Sequence, residues 1–313
     1  MADRKRPFRF GVNLRGARSR SEWREKARRA EALGFDTVLV PDHLSDLLPP
    51  FPALMAAAEA TASVRVGTFV LNNDFRHPAF VAREAAAVDL LSDGRLELGL
   101  GAGHMESEYG EVGLGYDPAS VRVERLGESV RIIKRLLVGE EVTFHGSHYD
   151  LAGHCAYPRP VQRPRPPLLI GGNGRQLLTL AAQEADIVGF TGFSPRRGGT
   201  ASDFSAFGSE GAAGRIALVR RVAGARFEEL ELNALVQVVE VTKSPRRAAE
   251  EGVRGSELTA DAVLDSPFAL LGSRQAMANA LCGWRERLGL SYFVVFEPAM
   301  DAFAGVISRL AGT

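Results

Sequence analysis

What most limits the folds open to this chain is an alternation. Short apolar runs, each followed by helical material, recur eight times. They are FRFGVNL (8–14), TVLV (37–40), VRVGTFVL (64–71), RLELGL (95–100), 168–171, 186–190, a long run at 232–241, and YFVVF (292–296). Runs this evenly apolar suit strands buried on both faces, as in a parallel sheet covered by helices. The segments between them change period. Val123, Leu126, Val130, Ile133 and Leu137, with charged residues between, define a core-facing helix. Phe80, Val81, Ala87, Val88 and Leu91 mark another. Further helices are expected at 22–33 with Ser21 as N-cap, and at 53–62, 176–185, 211–226, 274–288 and 299–310. Eight βα units in 313 residues predict an α/β fold, one (β/α)8 TIM barrel domain over 1–313. A doubly wound sheet would want G-x-G-x-x-G after its first strand, and none is there.

Two segments interrupt the alternation. TFHGSHYDL (143–151) reads as a small hairpin before the fifth strand. Residues 194–214 hold five Gly and four Ser, the composition of a lid or a disordered loop. Charge excludes some partners. Lys and Arg total 38 against 38 Asp and Glu, so nothing draws the chain to nucleic acid or to an anionic membrane. Two distant cysteines, Cys155 and Cys282, predict no disulfide framework and a reducing compartment. The basic start has no apolar segment behind it, which reads as no signal peptide. A cytoplasmic protein is expected. His145, His148, His154 and Cys155 fit no zinc spacing, so no metal is assigned.

A barrel of this kind places its chemistry at the C-terminal ends of the strands. Those ends carry Asn13 to Arg15, Asp42-His43, Asn72 to Asp74, Gly101-Ala102-Gly103-His104, Gly171 to Gly174, Thr191-Gly192 and Glu297. His43 can donate or accept a proton near neutrality. Glu108 is a second candidate proton source. Gly171-Gly172-Asn173-Gly174-Arg175 follows a strand and opens a helix. Its glycines admit a ligand close to the backbone, and the first helical N–H groups with Arg175 suit a phosphate. No Walker motif and no G-x-S-x-G elbow is present.

Four blocks resemble one family. The run RHPAFVAREAAAVDLLSDGRLELGLGAGHMESEYGEVG from Arg76 is similar to the luciferase-like flavin and deazaflavin oxidoreductases. So are VTFHGSHYDL from Val142, PRPVQRPRPPLLIGGNG from Pro158 and LLGSRQAMANAL from Leu270. Within that superfamily the chain most resembles the coenzyme F420-dependent branch, found largely in actinomycetes. Its 34 Arg against 4 Lys agree with a GC-rich source. The resemblance implies a (β/α)8 barrel with insertions. It implies that Asp42 and His43 sit beside the reactive face of the coenzyme ring. It also implies that Phe69, Val70 and Asn72 belong to a bulge with a non-prolyl cis peptide behind the ring. Ala102 and Gly103 would meet the ring edge or its side chain. Gly171, Gly172, Asn173, Gly174 and Arg175, with Thr191, would hold the rest of the coenzyme. The branch's sugar-phosphate dehydrogenases grip phosphate with lysines and carry Trp just after the Asp-His pair. Here His43 is followed by Leu44-Ser45-Asp46, so a different substrate is expected.

The leading expectation is an F420-dependent oxidoreductase exchanging hydride with a small organic substrate. The alternative cofactor is FMN, in an FMNH2-dependent monooxygenase on the same barrel. A third reading is a non-catalytic flavin-binding protein. The partners to consider are the small-molecule substrate, a second copy of the chain in a homodimer, and a separate flavin or F420 reductase supplying reduced cofactor.

Overall fold

The structure, a computed structural model, describes residues 6–195, 202–204 and 207–313. Its centre is a closed barrel of eight parallel strands: β1 (Arg9–Asn13), β2 (Thr37–Val40), β3 (Arg65–Thr68), β4 (Leu96–Gly101), β5 (Leu168–Gly171), β6 (Ile187–Thr191), β7 (Glu231–Val236) and β8 (Leu290–Phe296). Neighbours in sequence are neighbours in the sheet. β1 pairs β8, and β3 pairs β4 through Val66–Leu96 and Gly67–Glu97, which closes the ring.

The wall separates two apolar cores. Outward residues such as Val12, Val38, Leu98, Ile170 and Phe293 pack in the large core beneath the helices. Inside the barrel, Leu39, Leu169, Ile187, Tyr292 and Val294 form a small core of their own. Glycine limits its bulk. A Cβ on Gly11 would stand 3.0 Å from Val294 and 3.1 Å from Leu39. Burial of both strand faces explains why the sequence shows apolar runs rather than alternation.

Several expectations need correction. The run 232–241 is two strands. β7 ends at Val236, and Val238–Val241 pairs instead with Ala269–Gly272 outside the barrel. The backbone N–H groups of Gln237 and Val238 both turn to the Phe268 carbonyl, which breaks the ladder. The run 64–71 is also broken. β3 stops at Thr68, the Phe69-Val70 peptide is cis, and Leu71–Asn72 resumes pairing with β4. The first helix, Arg20–Ala32, is capped by Ser19 rather than Ser21, because the Ser19 hydroxyl accepts from Glu22 N. Helix Pro50–Ala58 begins earlier than 53, with prolines in its first turn. Phe80 and Leu91 lie on the solvent side of helix Pro78–Leu91, whose buried face is Val81, Ala82, Ala85, Ala86 and Val88. The hairpin is Val142–His145 with Asp150–His154, antiparallel.

Of the 194–214 segment, Ser194–Pro195 pairs with Ser202–Asp203, and a helix runs from Ser209 to Ala223. Residues 196–201, 205 and 206 lie outside the described residues, so the lid reading falls partly on positions not described. Among the described residues no helix is long and apolar enough to cross a membrane.

Candidate active site

The C-terminal rim gathers residues from β2, β3, β4 and β5 around one valine. Val70 stands where three glycines make room for it. A Cβ on Gly101 would come within 2.6 Å of a Val70 methyl, and one on Gly99 or on Gly171 within 3.2 Å. Gly99 and Gly101 are buried, Gly171 and Val70 half-buried, so the rim presents Val70 seated on glycine rather than on other side chains. Phe69 packs with the small inner core below it.

Behind this valine lies a buried polar lattice. The Asp42 carboxylate accepts from the Asn72 backbone N at 3.0 Å and from both terminal nitrogens of Arg76. The Asn72 side-chain oxygen accepts from Asp74 N and from the Tyr109 hydroxyl, which reaches Asp74 as well. Burial, reinforced by Asp74, pushes the Tyr109 phenol upward, so it stays a neutral donor. Gly103, at φ +72°, lies against this lattice, and a Cβ there would collide with the Tyr109 hydroxyl. Arg122 of helix Ala119–Val138 donates to the carbonyls of Ala102 and Gly103 and to the Tyr116 hydroxyl.

His43 leaves β2 toward the mouth with about a third of its side chain exposed. Its partner is Glu108, not the adjacent Asp42. Nδ1 lies 3.0 Å from Glu108 Oε1, which also accepts from Leu44 N at 3.0 Å. Glu108 is buried, at the centre of the short helix Glu106–Glu111. A carboxylate on Nδ1 fixes which ring nitrogen is left for a ligand: Nε2. His104, at the end of β4, stands edge-on to His43, with ring centroids 5.4 Å apart at 84°. His104 keeps solvent contact at the rim; partial desolvation there, then the charges of His43 and Arg122, push its imidazole down to about 4. It is therefore neutral at physiological pH.

The predicted phosphate cradle has a division of labour. Gly172 is a packing glycine. Its N–H is engaged by the Gly189 carbonyl, its φ is +150°, and a Cβ would strike Leu177. Asn173 also looks inward, donating to the carbonyls of Thr191 and Phe193 and accepting from Thr191 N. The Thr191 hydroxyl takes a hydrogen bond from Gln237, and its carbonyl another from Arg215. Gly174 and Arg175 are the open part. Both are exposed, a Cβ on Gly174 would meet nothing within 4 Å, and helix Arg175–Glu184 starts there without a side-chain cap. The free first-turn N–H groups face outward beside a guanidinium.

Arg76, Tyr109 and Arg122 were not singled out from sequence, and His104 was named only as part of a strand end. Arg122 carried a signal: it precedes Leu126 by four residues and so falls on the buried face of its helix. Elsewhere, exposed His145 pairs with Asp150, and His148 lies 3.7 Å from Glu124. Among the described residues no three His, Cys, Asp or Glu converge as a metal site.

A family model described as luciferase-like monooxygenase matches residues 6–291. An F420-dependent glucose-6-phosphate dehydrogenase of Microbacterium testaceum is 35% identical over 165 residues, 50% of this chain and 48% of that protein. One from Amycolatopsis mediterranei is 36% identical over 170 residues, 52% of this chain and 50% of that protein. The chain thus spans about half the length of the curated relatives it matches. The structure of a coenzyme F420-dependent tetrahydromethanopterin reductase from Methanopyrus kandleri superimposes with a TM-score of 0.76 at 16% identity, covering 97% of this chain and 98% of that one. At that identity the likeness concerns the fold.

Proposed function

The chain belongs to the luciferase-like monooxygenase family, and from that premise we propose that it is an F420-dependent oxidoreductase acting on a small organic substrate. One observation carries the reading: half-buried Val70, seated against Gly99, Gly101 and Gly171, and the His43–Glu108 imidazole–carboxylate pair stand on the same C-terminal rim of the barrel. The names of the curated relatives support the deazaflavin over FMN.

The residues fit such a group. Val70, Gly99, Gly101 and Gly171 would lie under the ring, with Ala102 and Gly103 at its edge. Gly174, Arg175 and the first turn of their helix would hold phosphate. When bound, the coenzyme supplies the hydride chemistry. The chain's part is to position and to move a proton. Glu108 holds His43 by Nδ1, so Nε2 is the atom that gives or takes a proton at the substrate. Asp42, engaged by Arg76 and Asn72 N, braces the bulge that carries Val70 rather than acting on the substrate. Lys26 is paired with Glu22 and Glu297, and Lys134 with Glu184. Their engagement supports an organic substrate without phosphate over the sugar phosphate named for the relatives. The protein would work in the cytoplasm, with a second copy of itself or a coenzyme reductase as partners.

Equilibrium binding of F420 and FMN to the same preparation tests the cofactor. F420 should bind at least about tenfold more tightly, which is about 1.4 kcal/mol. Equal affinity or a preference for FMN selects the FMNH2-dependent monooxygenase instead.

A further inference from the structure

Two imidazoles share the rim, yet their surroundings differ in sign. His43 faces a carboxylate, Glu108 Oε1 at 3.0 Å. The other charge near it, Asp42, is turned away into Arg76. His104 faces no carboxylate. The two carbonyls that precede it, of Ala102 and Gly103, hold the Arg122 guanidinium beneath it, and Tyr116, stacked on that guanidinium at 4.2 Å, binds its own carbonyl. The groups around His104 are thus His43, Arg122 and the Tyr116 hydroxyl, two of them cationic or able to become so. One ring is held by a carboxylate and the other is not, which suits them to different roles.

We propose that His104 is a second active-site imidazole, one that donates its ring N–H as a neutral group to the substrate oxygen while His43, held by Glu108, exchanges the proton. The substrate class that needs both is a carbinol or its carbonyl partner. As the carbinol is oxidised, the hydride of its C–H bond leaves to the deazaflavin coenzyme of the proposed function and its O–H proton goes to His43 Nε2. Negative charge grows on the oxygen, and His104 N–H stabilises it. The reverse direction retraces these positions, so the proton returns from His43 to the carbonyl oxygen and His104 polarises that carbonyl. A protonated His104 would compete to transfer its own proton. A neutral one donates without doing so, which is what its lowered pKa of about 4 provides. The reading rests on the F420-dependent oxidoreductase proposed above for the electron transfer, but not for the state of the ring.

The test therefore has two arms. In the first, ring 13Cε1–1H signals of all six histidines are followed against pH in the protein without coenzyme. His104 should show no titration between about pH 5 and 8, where ordinary imidazoles titrate. In His43→Gln its midpoint should rise, because one positive neighbour is gone. A His104 that titrates near the ordinary value in the unaltered protein overturns the proposal, and so does a midpoint indifferent to His43→Gln. In the second arm, turnover of F420 is read with a panel of secondary alcohols and ketones. His104→Phe should lower kcat by about 10²–10³-fold, with F420 affinity within about twofold of the unaltered protein. His104→Gln, which keeps an N–H donor, should recover most of the loss. Equal loss in Gln and Phe, no loss in Phe, or no turnover of any panel member by the unaltered protein overturns the assignment. Failure of the coenzyme reading shows separately, as no F420 binding at all, and the titration still decides the state of the ring.

Discussion

The two ends of the barrel use the same kinds of side chain for opposite ends. At the N-terminal end, Arg9 of β1 pairs with Glu231 of β7 at 2.6 Å and with Glu97 of β4, and Arg65 of β3 pairs with the same Glu97 at 2.7 Å. Arg9 also lies over the Tyr292 ring at 4.4 Å. Four strands are pinned there by charge against charge in a plug so close-packed that a Cβ on Gly67 would come within 3.2 Å of the Glu97 side chain. At the C-terminal end the fixed charges are withdrawn behind Val70. Asp42 closes on Arg76, Asp74 on Arg125, and Arg122 on carbonyls. Among the groups left accessible at the mouth are the His43 and His104 imidazoles, Val70 and the Gly174–Arg175 turn. One end is neutralised to hold the ring of strands closed, and the other is cleared so that a ligand can complete it.

If that contrast is right, substitutions at the two ends should separate activity from stability. The largest effect is expected at the mouth. His43→Ala should slow hydride transfer by about 10²–10⁴-fold, measured by stopped-flow absorbance of the coenzyme, while thermal unfolding and coenzyme affinity change little. An unchanged rate with the true substrate would remove His43 from proton transfer. At the plug the signs reverse. Glu97→Ala leaves two arginines without their shared carboxylate. Breaking a buried ion pair costs about 3–5 kcal/mol, and the low end applies here because Arg9 and Arg65 keep 25% and 27% of their side-chain surface in water. Denaturant titration should show that loss, with kcat per folded molecule unaltered. A stable Glu97→Ala protein with reduced kcat would mean that the plug communicates with the mouth. The smallest effect tests the cradle. Arg175→Gln should weaken F420 by about tenfold, the weight of one charge-assisted hydrogen bond, and leave the unfolding midpoint in place. Gly172→Val, by contrast, should lower stability as well, because Leu177 occupies the space its side chain would need.

Much of this was legible in the sequence, and the reason differs by level. The barrel is written in local periods, so its eight strands and the long helices could be located from one stretch at a time, with the runs 64–71 and 232–241 carried past their strand ends. The break after Val236 was not, because Leu232 to Val241 is apolar on both sides of it and the Phe268 carbonyl that diverts the chain lies far along the sequence. Helix Pro78–Leu91 was legible as a helix, but its rotation was misjudged at Phe80, since an alanine-rich face can be the buried one. At the site, residue types at strand ends made candidates of His43 and the Gly171–Arg175 turn, with Glu108 named only as a second proton source. Their connections did not show. Asp42 and His43 look like a pair in the sequence, but adjacent residues leaving a strand face opposite ways. One finds Arg76 and the other finds Glu108, 34 and 65 positions away.

The valine and its three glycines carry a consequence for how such a site can change. A methyl group on Gly101 has no room while Val70 keeps its branches, Gly171 is tight against the same side chain at 3.2 Å, and Gly99 is closed chiefly by the Thr68 carbonyl at 2.1 Å. Positions from β3, β4 and β5 are therefore one unit of inheritance as far as shape is concerned. Gly101→Ala alone meets Val70, and Val70→Ala alone opens a gap at the rim. Together they add one methyl group and remove two, so the second change makes room for the first at the net loss of one carbon. Coupling of this kind between touching residues commonly amounts to about 0.5–3 kcal/mol. A lineage reshaping this rim for a different ring would have to pass through a crowded or a hollow intermediate, which biases it toward keeping the ring and altering the walls.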